Sequence, residues 1–301
     1  MDKTVKVFII LLIIIMAIIG IFYFLLAPGN DKKCIQHKWL YQSKIAHRGY
    51  YNNEKAIMEN SKTAFQIAIE KGFNIEMDVS LTKDNQLIVY HDDDFNRLFH
   101  VNKKVSDLTL SEIQELKYEN TEDRILSFPD FLEIISGKTG LLIELKSQSK
   151  ERDIVLCQKV LEALKDYQGN YALQSFNPFI VRYLKKNCPM IPRGQLYTKF
   201  NLKEERKITK GQGFKGIVLL VGKFFYNHKL ANCIGRPLFI NHDFQKLVFF
   251  ARLCHHFMPL IVYVINDVHY YDYCQKNLKA DNIIFENLEI NKDGRAKKNI
   301  S

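Results

Sequence analysis

None of the six cysteines, Cys34, Cys157, Cys188, Cys233, Cys254 and Cys274, stands in a C-x-x-C pair. The pattern excludes a structural zinc site or dithiol redox motif and leaves the thiols as small buried hydrophobes. Cys254, His255 and His256 are adjacent, and adjacent side chains leave a helix or strand in different directions, so they make no ligand set. Internal repeats are missing, and so are low-complexity tracts beyond one apolar run near the start. Blocks of like charge are missing too. The 43 Lys and Arg outnumber 33 Asp and Glu, for a formal charge of +10. They stand singly or in pairs such as Lys32-Lys33, Lys103-Lys104 and Lys185-Lys186, interleaved with acids, apart from Arg295, Lys297 and Lys298 in the tail. That excess suits an acidic membrane surface or a phosphate-bearing substrate, without the basic stripe of a nucleic-acid groove, so no nucleic acid is expected. What is present, 47% hydrophobic and 25% charged residues, is the balance of a folded globular chain.

From Val7 to Ala27, VFIILLIIIMAIIGIFYFLLA runs without a charge. At about 1.5 Å per residue the run crosses roughly 30 Å of hydrocarbon. A soluble core helix would need a polar face. A cleavable signal would have a shorter apolar stretch ending in small residues, whereas Ala27 is followed by Pro28 and Gly29, and Asp31-Lys32-Lys33 before Cys34 is unlike a lipoprotein site. The expectation is a single-pass membrane protein: stub and uncleaved anchor over 1–28 with the helix at 7–27, a linker over 29–41, one domain over 42–290 and a basic tail over 291–301. Lys3 and Lys6 nearly balance Lys32, Lys33, Lys38 and Lys44 across the span. A short N-terminal stub usually stays in the cytoplasm, which would put the domain outside.

Beyond the linker, β-rich runs alternate with helical patterns. Strands are predicted at Lys44–His47, Asn74–Ser80, Gln86–Tyr90, Leu141–Lys146, Tyr171–Ser175, Gly194–Tyr197, Gly216–Val221, Leu260–Ile265 and Asn282–Phe285. Helices are predicted between many of them, including Ser61–Lys71, Arg152–Asp166, Pro178–Lys186 and Phe244–His256. The alternation predicts βα units, a parallel sheet and the α/β class, closing as a (β/α)8 TIM-like barrel. Nine strands are one too many, and the turn Lys83-Asp84-Asn85 marks the third as a hairpin addition to the second. In such a barrel catalytic groups sit at strand C-termini. His47 ends the first strand, and Glu76 and Asp78 are two apart, so a pleated strand turns both carboxylates to one side. His91 ends the hairpin run, and Glu144 and Lys146 repeat the i, i+2 spacing. Apolar neighbours (Ile75, Met77, Val79, Ile143, Leu145) mark these strands as buried, where charges need a partner or a metal.

These motifs, in order, resemble the glycerophosphodiester phosphodiesterase domain over Ile45 to Asn287. The resemblance rests on His47-Arg48-Gly49, Glu59-Asn60-Ser61, Glu76-Met77-Asp78-Val79 with Thr82 and Asp84 following, Val89-Tyr90-His91-Asp92, Ser106-Asp107-Leu108-Thr109 and Glu144-Leu145-Lys146. Gln174-Ser175-Phe176 and Tyr263-Val264-Ile265-Asn266 resemble later elements. Departures are Met58 for the proline before Glu59, Tyr263 for a tryptophan, and Ala280 to Asn287 for a glycine-rich ending, which put the alcohol-side pocket in doubt. The resemblance implies metal-dependent hydrolysis of a glycerophosphodiester to sn-glycerol 3-phosphate and an alcohol. Glu76, Asp78 and Glu144, hard oxygen donors, would hold one divalent cation, Mg²⁺ or Ca²⁺. His47 and His91 would be acid and base, their assignment open, and Arg48, Lys146 and Glu59 would bind or order the substrate. A lipid-derived phosphodiester of the lysophospholipid type is a second substrate class, suggested by the anchor, 21 Phe and 15 Tyr. A catalytically dead membrane scaffold is a third reading, against which no histidine or metal-ligand position has been lost.

Overall fold

The computed structural model describes residues 2–29, 37–52, 55–198, 200–246, 249–291 and 294–298, without the side chains of 249–251 and 298. Cys34, Lys32, Lys33 and most of the expected linker lie outside them. Eight parallel strands close a barrel: β1 (Ile45–His47), β2 (Asn74–Leu81), β3 (Leu141–Leu145), β4 (Tyr171–Ser175), β5 (Arg193–Tyr197), β6 (Phe239–Asp243), β7 (Leu260–Ile265) and β8 (Asn282–Phe285). Closure is made by β1, which pairs with β8 through Ala46↔Phe285 and with β2 through His47↔Glu76. The run after Lys83-Asp84-Asn85 is the expected hairpin addition. Leu87–Val89 pairs antiparallel with the end of β2, and Asn85 takes a positive φ in the turn.

One strand prediction is overturned. Gly216–Val221 lies inside a helix, and the barrel strand in that part of the chain is Phe239–Asp243. A short aliphatic run cannot be told from a helix segment by periodicity, while Asn241-His242-Asp243 disguises a strand that turns Asn241 into the barrel and buries His242 against Tyr197 on the outer side.

The helices used below are α1 (Lys3–Leu26), α2 (Trp39–Gln42), α3 (Lys62–Glu70), α4 (Phe128–Ile135), α5 (Lys150–Ala163), α6 (Pro178–Asn187), α7 (Leu202–Ile208), α8 (Gly213–Asn227), α9 (Asn232–Gly235), α10 (Phe249–His255) and α11 (Val268–Lys276). Several begin where the sequence offers a side-chain acceptor to a free N–H: Ser61 for α3, Ser127 for α4, Ser149 for α5, Asn177 ahead of Pro178 for α6, and Asp267 for α11.

Two apolar layers hold the barrel. Outside, helices pack Phe65, Phe131, Leu156 and Leu184 against outward residues such as Ile75, Met77 and Ile143. Inside, Ile45, Leu142, Ala172, Phe239, Ile261 and Ile284 form a floor closed by Leu40 and Trp39 of α2, so the end of the expected linker is a plug. Gly140 is needed there, because a Cβ would meet the Trp39 ring at 2.3 Å. Asn74 and Asn282 donate amide hydrogen bonds to the plug's carbonyls, including Asn282 Nδ2 to Leu40 O at 2.6 Å.

Helix α1, 24 residues, is long and apolar enough to cross a membrane. Its last turn lands on α9 and the turn that leads into β6: Asn232 Nδ2 donates to Leu26 O at 3.3 Å, and Arg236 Nη1 to Phe24 O at 2.6 Å. Leu26 is buried there. In the expected tail, Ala296–Lys298 pairs antiparallel with Leu288–Ile290. Cys157, Cys254 and Cys274 are buried free thiols, and His255 turns to Asp281 at 3.0 Å, away from Cys254 in the core.

Candidate active site

Moving two residues along a strand returns to the same face. From the floor, Ile45 leads to His47, Leu142 to Glu144, Ala172 to Gln174, Phe239 to Asn241, Ile261 to Tyr263 and, just past β8, Ile284 to Glu286. Glu76 joins this polar layer opposite His47, and Asp78 stands one step higher, opposite Glu144. Ligand oxygens of Glu76, Asp78 and Glu144 all lie within 4.8 Å of one another, and no other such group occurs among the described residues. Buried carboxylates this close repel. Burial pushes Glu76 well above its ordinary value, reinforced by Asp78 and Glu144, and burial raises Glu144 too. For Asp78 burial acts in the same direction but is outweighed by Lys146, His91 and Arg48, which hold it below the usual carboxylate range. Asp78 Oδ1 has no hydrogen-bond donor, with Lys146 Nζ 3.6 Å away. An all-oxygen set with residual negative charge and an orphaned acceptor fits a hard divalent cation.

Two histidines flank the cluster, each backed by a carboxylate. His47 Nδ1–H donates to Glu286 Oε2 at 2.8 Å, leaving Nε2 toward Glu76 Oε2 at 3.9 Å. Burial pulls the His47 pKa down, partly offset by the Glu286 hydrogen bond. His91 arrives by the antiparallel return, where the Tyr90 N–H donates to Asp78 O at 3.1 Å. Its Nδ1 meets Asp92 Oδ1 at 2.6 Å, and its side chain is about one-third exposed (32%) at the rim.

Arg48 stands between carboxylates: Nη1 reaches Glu59 Oε1 at 2.6 Å, Nε is 3.6 Å from Asp78, and its backbone N–H donates to Glu76 at 3.3 Å. Its φ of 53° and that of Gly49, 80°, form a left-handed pair. A Cβ on Gly49 would sit 2.9 Å from the Ala64 carbonyl carbon of α3, so only glycine fits. Glu59 also takes two hydrogen bonds from Arg97 (2.7 and 2.9 Å), and Arg97 Nε donates to Asp92 at 2.7 Å. Lys146 Nζ is 3.0 Å from Glu144. Met58 packs beside the Tyr90 and Phe95 cluster. Tyr263 donates to Tyr197 O at 3.0 Å and meets the Phe176 ring edge-on.

All eight residues singled out from the sequence thus converge at one end of the barrel. Reasoning from sequence missed Glu286, which looked like part of an eroded ending, with Tyr51, whose hydroxyl donates to it at 2.6 Å. It also missed Asn60, donating to Asp78 Oδ2 at 3.0 Å, and Arg97. Two of them carried a signal: Glu286, a carboxylate one residue past the last predicted strand, and Asn60, which lies within the Glu59-Asn60-Ser61 motif.

Residues 47–289 match the model of the glycerophosphoryl diester phosphodiesterase family. A glycerophosphodiester phosphodiesterase of Caldanaerobacter subterraneus subsp. tengcongensis is 36% identical over 167 residues, 51% of this chain and 65% of that one. A lysophospholipase D of Rattus norvegicus is 33% identical over 140 residues, 42% of each chain. The chain thus spans less than two thirds of the length of these curated relatives. Among solved structures, the glycerophosphodiester phosphodiesterase of Thermotoga maritima superposes with a TM-score of 0.57 at 26% identity, covering 81% of this chain and 94% of that one. An Oleispira antarctica phosphodiesterase in complex with the product sn-glycerol-3-phosphate shares the fold, with a TM-score of 0.61 at 20% identity, covering 81% and 92%.

Proposed function

The chain belongs to the glycerophosphoryl diester phosphodiesterase family, and from that premise we propose that it hydrolyses a glycerophosphodiester to sn-glycerol 3-phosphate and an alcohol. The observation that carries this reading is one carboxylate cluster, Glu76, Asp78 and Glu144, flanked by two histidines that each have a carboxylate on Nδ1. The three carboxylates would hold one Mg²⁺ or Ca²⁺, which supplies positive charge to the phosphate and orients it.

The remaining steps belong to the chain. His47, kept neutral by burial and tautomerically fixed by Glu286, takes a proton at Nε2 from the attacking hydroxyl, either water or the substrate's own glycerol hydroxyl. His91, at the rim where a leaving alcohol departs, gives a proton to the alkoxide oxygen as the P–O bond breaks. Attack through the glycerol hydroxyl forms a cyclic phosphate, which water opens with the histidines exchanging roles. Arg48 offers a fork to phosphate oxygens and Lys146 a point charge. Glu59, bound to Arg48 and Arg97, orders the site. Around the domain, α1 is an anchor in the membrane and the barrel lies outside the cytoplasm.

The test is release of glycerol 3-phosphate by the full chain in detergent micelles, with glycerophosphocholine and either Mg²⁺ or Ca²⁺. Activity should stop with EDTA and in His47→Ala. Inactivity in every divalent cation tried, or an unaffected His47→Ala, would sink the assignment. A second reading, a lipid-borne phosphodiester of the lysophospholipid type, is favoured by one further surface of the molecule.

A further inference from the structure

The aliphatic run that the sequence reads as a buried strand is the middle of α8, and it lies on the outside. Phe214, Ile217, Val218, Val221, Phe224 and Phe225 are 43 to 79% exposed. Their spacing, i, i+3, i+4, i+7, i+10 and i+11, sets them on one face of α8, an apolar surface larger than singly scattered residues explain, and Ile208 of α7 is exposed as well. The hairpin is well rooted. Tyr226 donates to Leu196 O, Asn227 and Phe200 exchange two hydrogen bonds of 2.9 Å, and Gly216 lies against Thr209, where a Cβ would be 2.7 Å from the carbonyl oxygen.

Two observations bear on what would cover it. The first is position. The hairpin leaves β5 at the mouth, where Tyr197 O accepts the Tyr263 hydroxyl, and α8 ends five residues before α9, the element that receives the end of α1. The end of α1 docks at the floor end of β6 and the hairpin at the mouth end of β5, so both exposed apolar helices attach along one flank of the barrel. The second is charge. Between Lys203 and Lys223 stand six basic residues (203, 206, 207, 210, 215 and 223) against Glu204 and Glu205. Pairing with a second copy about a two-fold axis would set this basic excess against itself, whereas anionic headgroups complement it.

We propose that the α7–α8 hairpin is a second membrane contact, α8 entering the interface of the bilayer that α1 crosses, so that this flank of the barrel lies along the membrane and the mouth opens at its surface beside lipid-borne phosphodiesters. The location rests on α1 being an anchor. The presentation of lipid substrates rests on the phosphodiesterase reading above.

The experiment uses the full chain reconstituted in vesicles of equal phosphatidylcholine and phosphatidylglycerol, with and without brominated acyl chains. Val218→Trp is compared with the parent, whose single Trp39 is the reference. The added emission should be blue-shifted and at least about half quenched by brominated lipid, as for a side chain seated 5–10 Å below the headgroup boundary, while Trp39 is not quenched. An added tryptophan that brominated lipid leaves unquenched overturns the proposal, and so does a Val218→Cys variant that cross-links α8 of two copies. In a further variant, Ile217→Ser with Val218→Ser and Val221→Ser, turnover of vesicle-borne lysophospholipid should fall about tenfold or more as interfacial apolar area is lost, with glycerophosphocholine turnover in detergent unchanged. Equal turnover of the vesicle substrate refutes the presentation of lipid. Quenching needs no activity, so a quenched but wholly inactive protein refutes the phosphodiesterase reading and leaves the membrane contact standing.

Discussion

Replacing Glu286 with glutamine tests the histidine–carboxylate pair with little change of shape. The amide that results keeps an acceptor oxygen for His47 Nδ1–H at 2.8 Å and for the Tyr51 hydroxyl at 2.6 Å, but loses the charge. For Glu286, burial acts to raise the pKa and is outweighed by His47 and Tyr51, which bring it down to about 2. A depressed carboxylate stabilises the fold fully above its unfolded value near 4.5, and that stability is lost as pH falls through about 2. Because His47 is itself neutral at pH 7, the hydrogen bonds rather than a full ion pair set the magnitude, about 1.5–3 kcal/mol for bonds to a charged group. Glu286→Gln should therefore unfold at lower denaturant at pH 7 and approach the parent toward pH 2. In the mechanism proposed above, the same carboxylate would stabilise the imidazolium that forms as His47 takes its proton. A loss of about 1.4–2.7 kcal/mol there lowers kcat roughly 10–100-fold. The sign in the pH profile is also set: Glu286 raises the His47 pKa against burial, so its removal moves the acid limb of kcat/KM to lower pH. A limb that stays in place or moves up, with unchanged kcat, refutes the pairing.

Asn60→Gly removes the amide that holds Asp78 Oδ2 while tolerating the φ of 54°, and should weaken divalent-cation binding by about 10–100-fold, read by calorimetry; an unchanged isotherm counts against Asp78 as a ligand. Glu59→Ala strips a buried acceptor from both Arg48 and Arg97 and should cost about 3 kcal/mol in urea unfolding. Were it neutral, the pair would be an ornament of the rim rather than part of its frame. Gly49→Ala meets both a positive φ and α3 backbone, so a loss of about 2 kcal/mol or more is expected, with activity falling alongside.

The barrel was legible because its signals are local. Strands such as Asn74–Leu81 and Leu141–Leu145 carry their own hydrophobic pattern, and the i, i+2 spacing of Glu76 with Asp78 specifies a shared face whatever lies opposite. The order of His47, Glu76, Asp78, His91 and Glu144 along the chain nominated residues that the fold brings together at one end of the barrel, and their roles are those proposed above. Where locality ended, so did the reading. Gly216–Val221 reads as a strand and is helical, and Phe239–Asp243 is a strand that carries no strand signal, because burial, not composition, decides whether an aliphatic run is strand or helix and whether asparagine and histidine are buried. Glu286 became the partner of His47 only through closure of β8 onto β1, a contact between residues 239 positions apart. The sequence by itself determined a barrel, an apolar N-terminal helix and a set of acids and histidines. The tertiary structure alone decided which carboxylate lies against which histidine and that an exposed apolar helical hairpin stands on the same flank as the N-terminal helix, because both depend on distances that no spacing along the chain encodes.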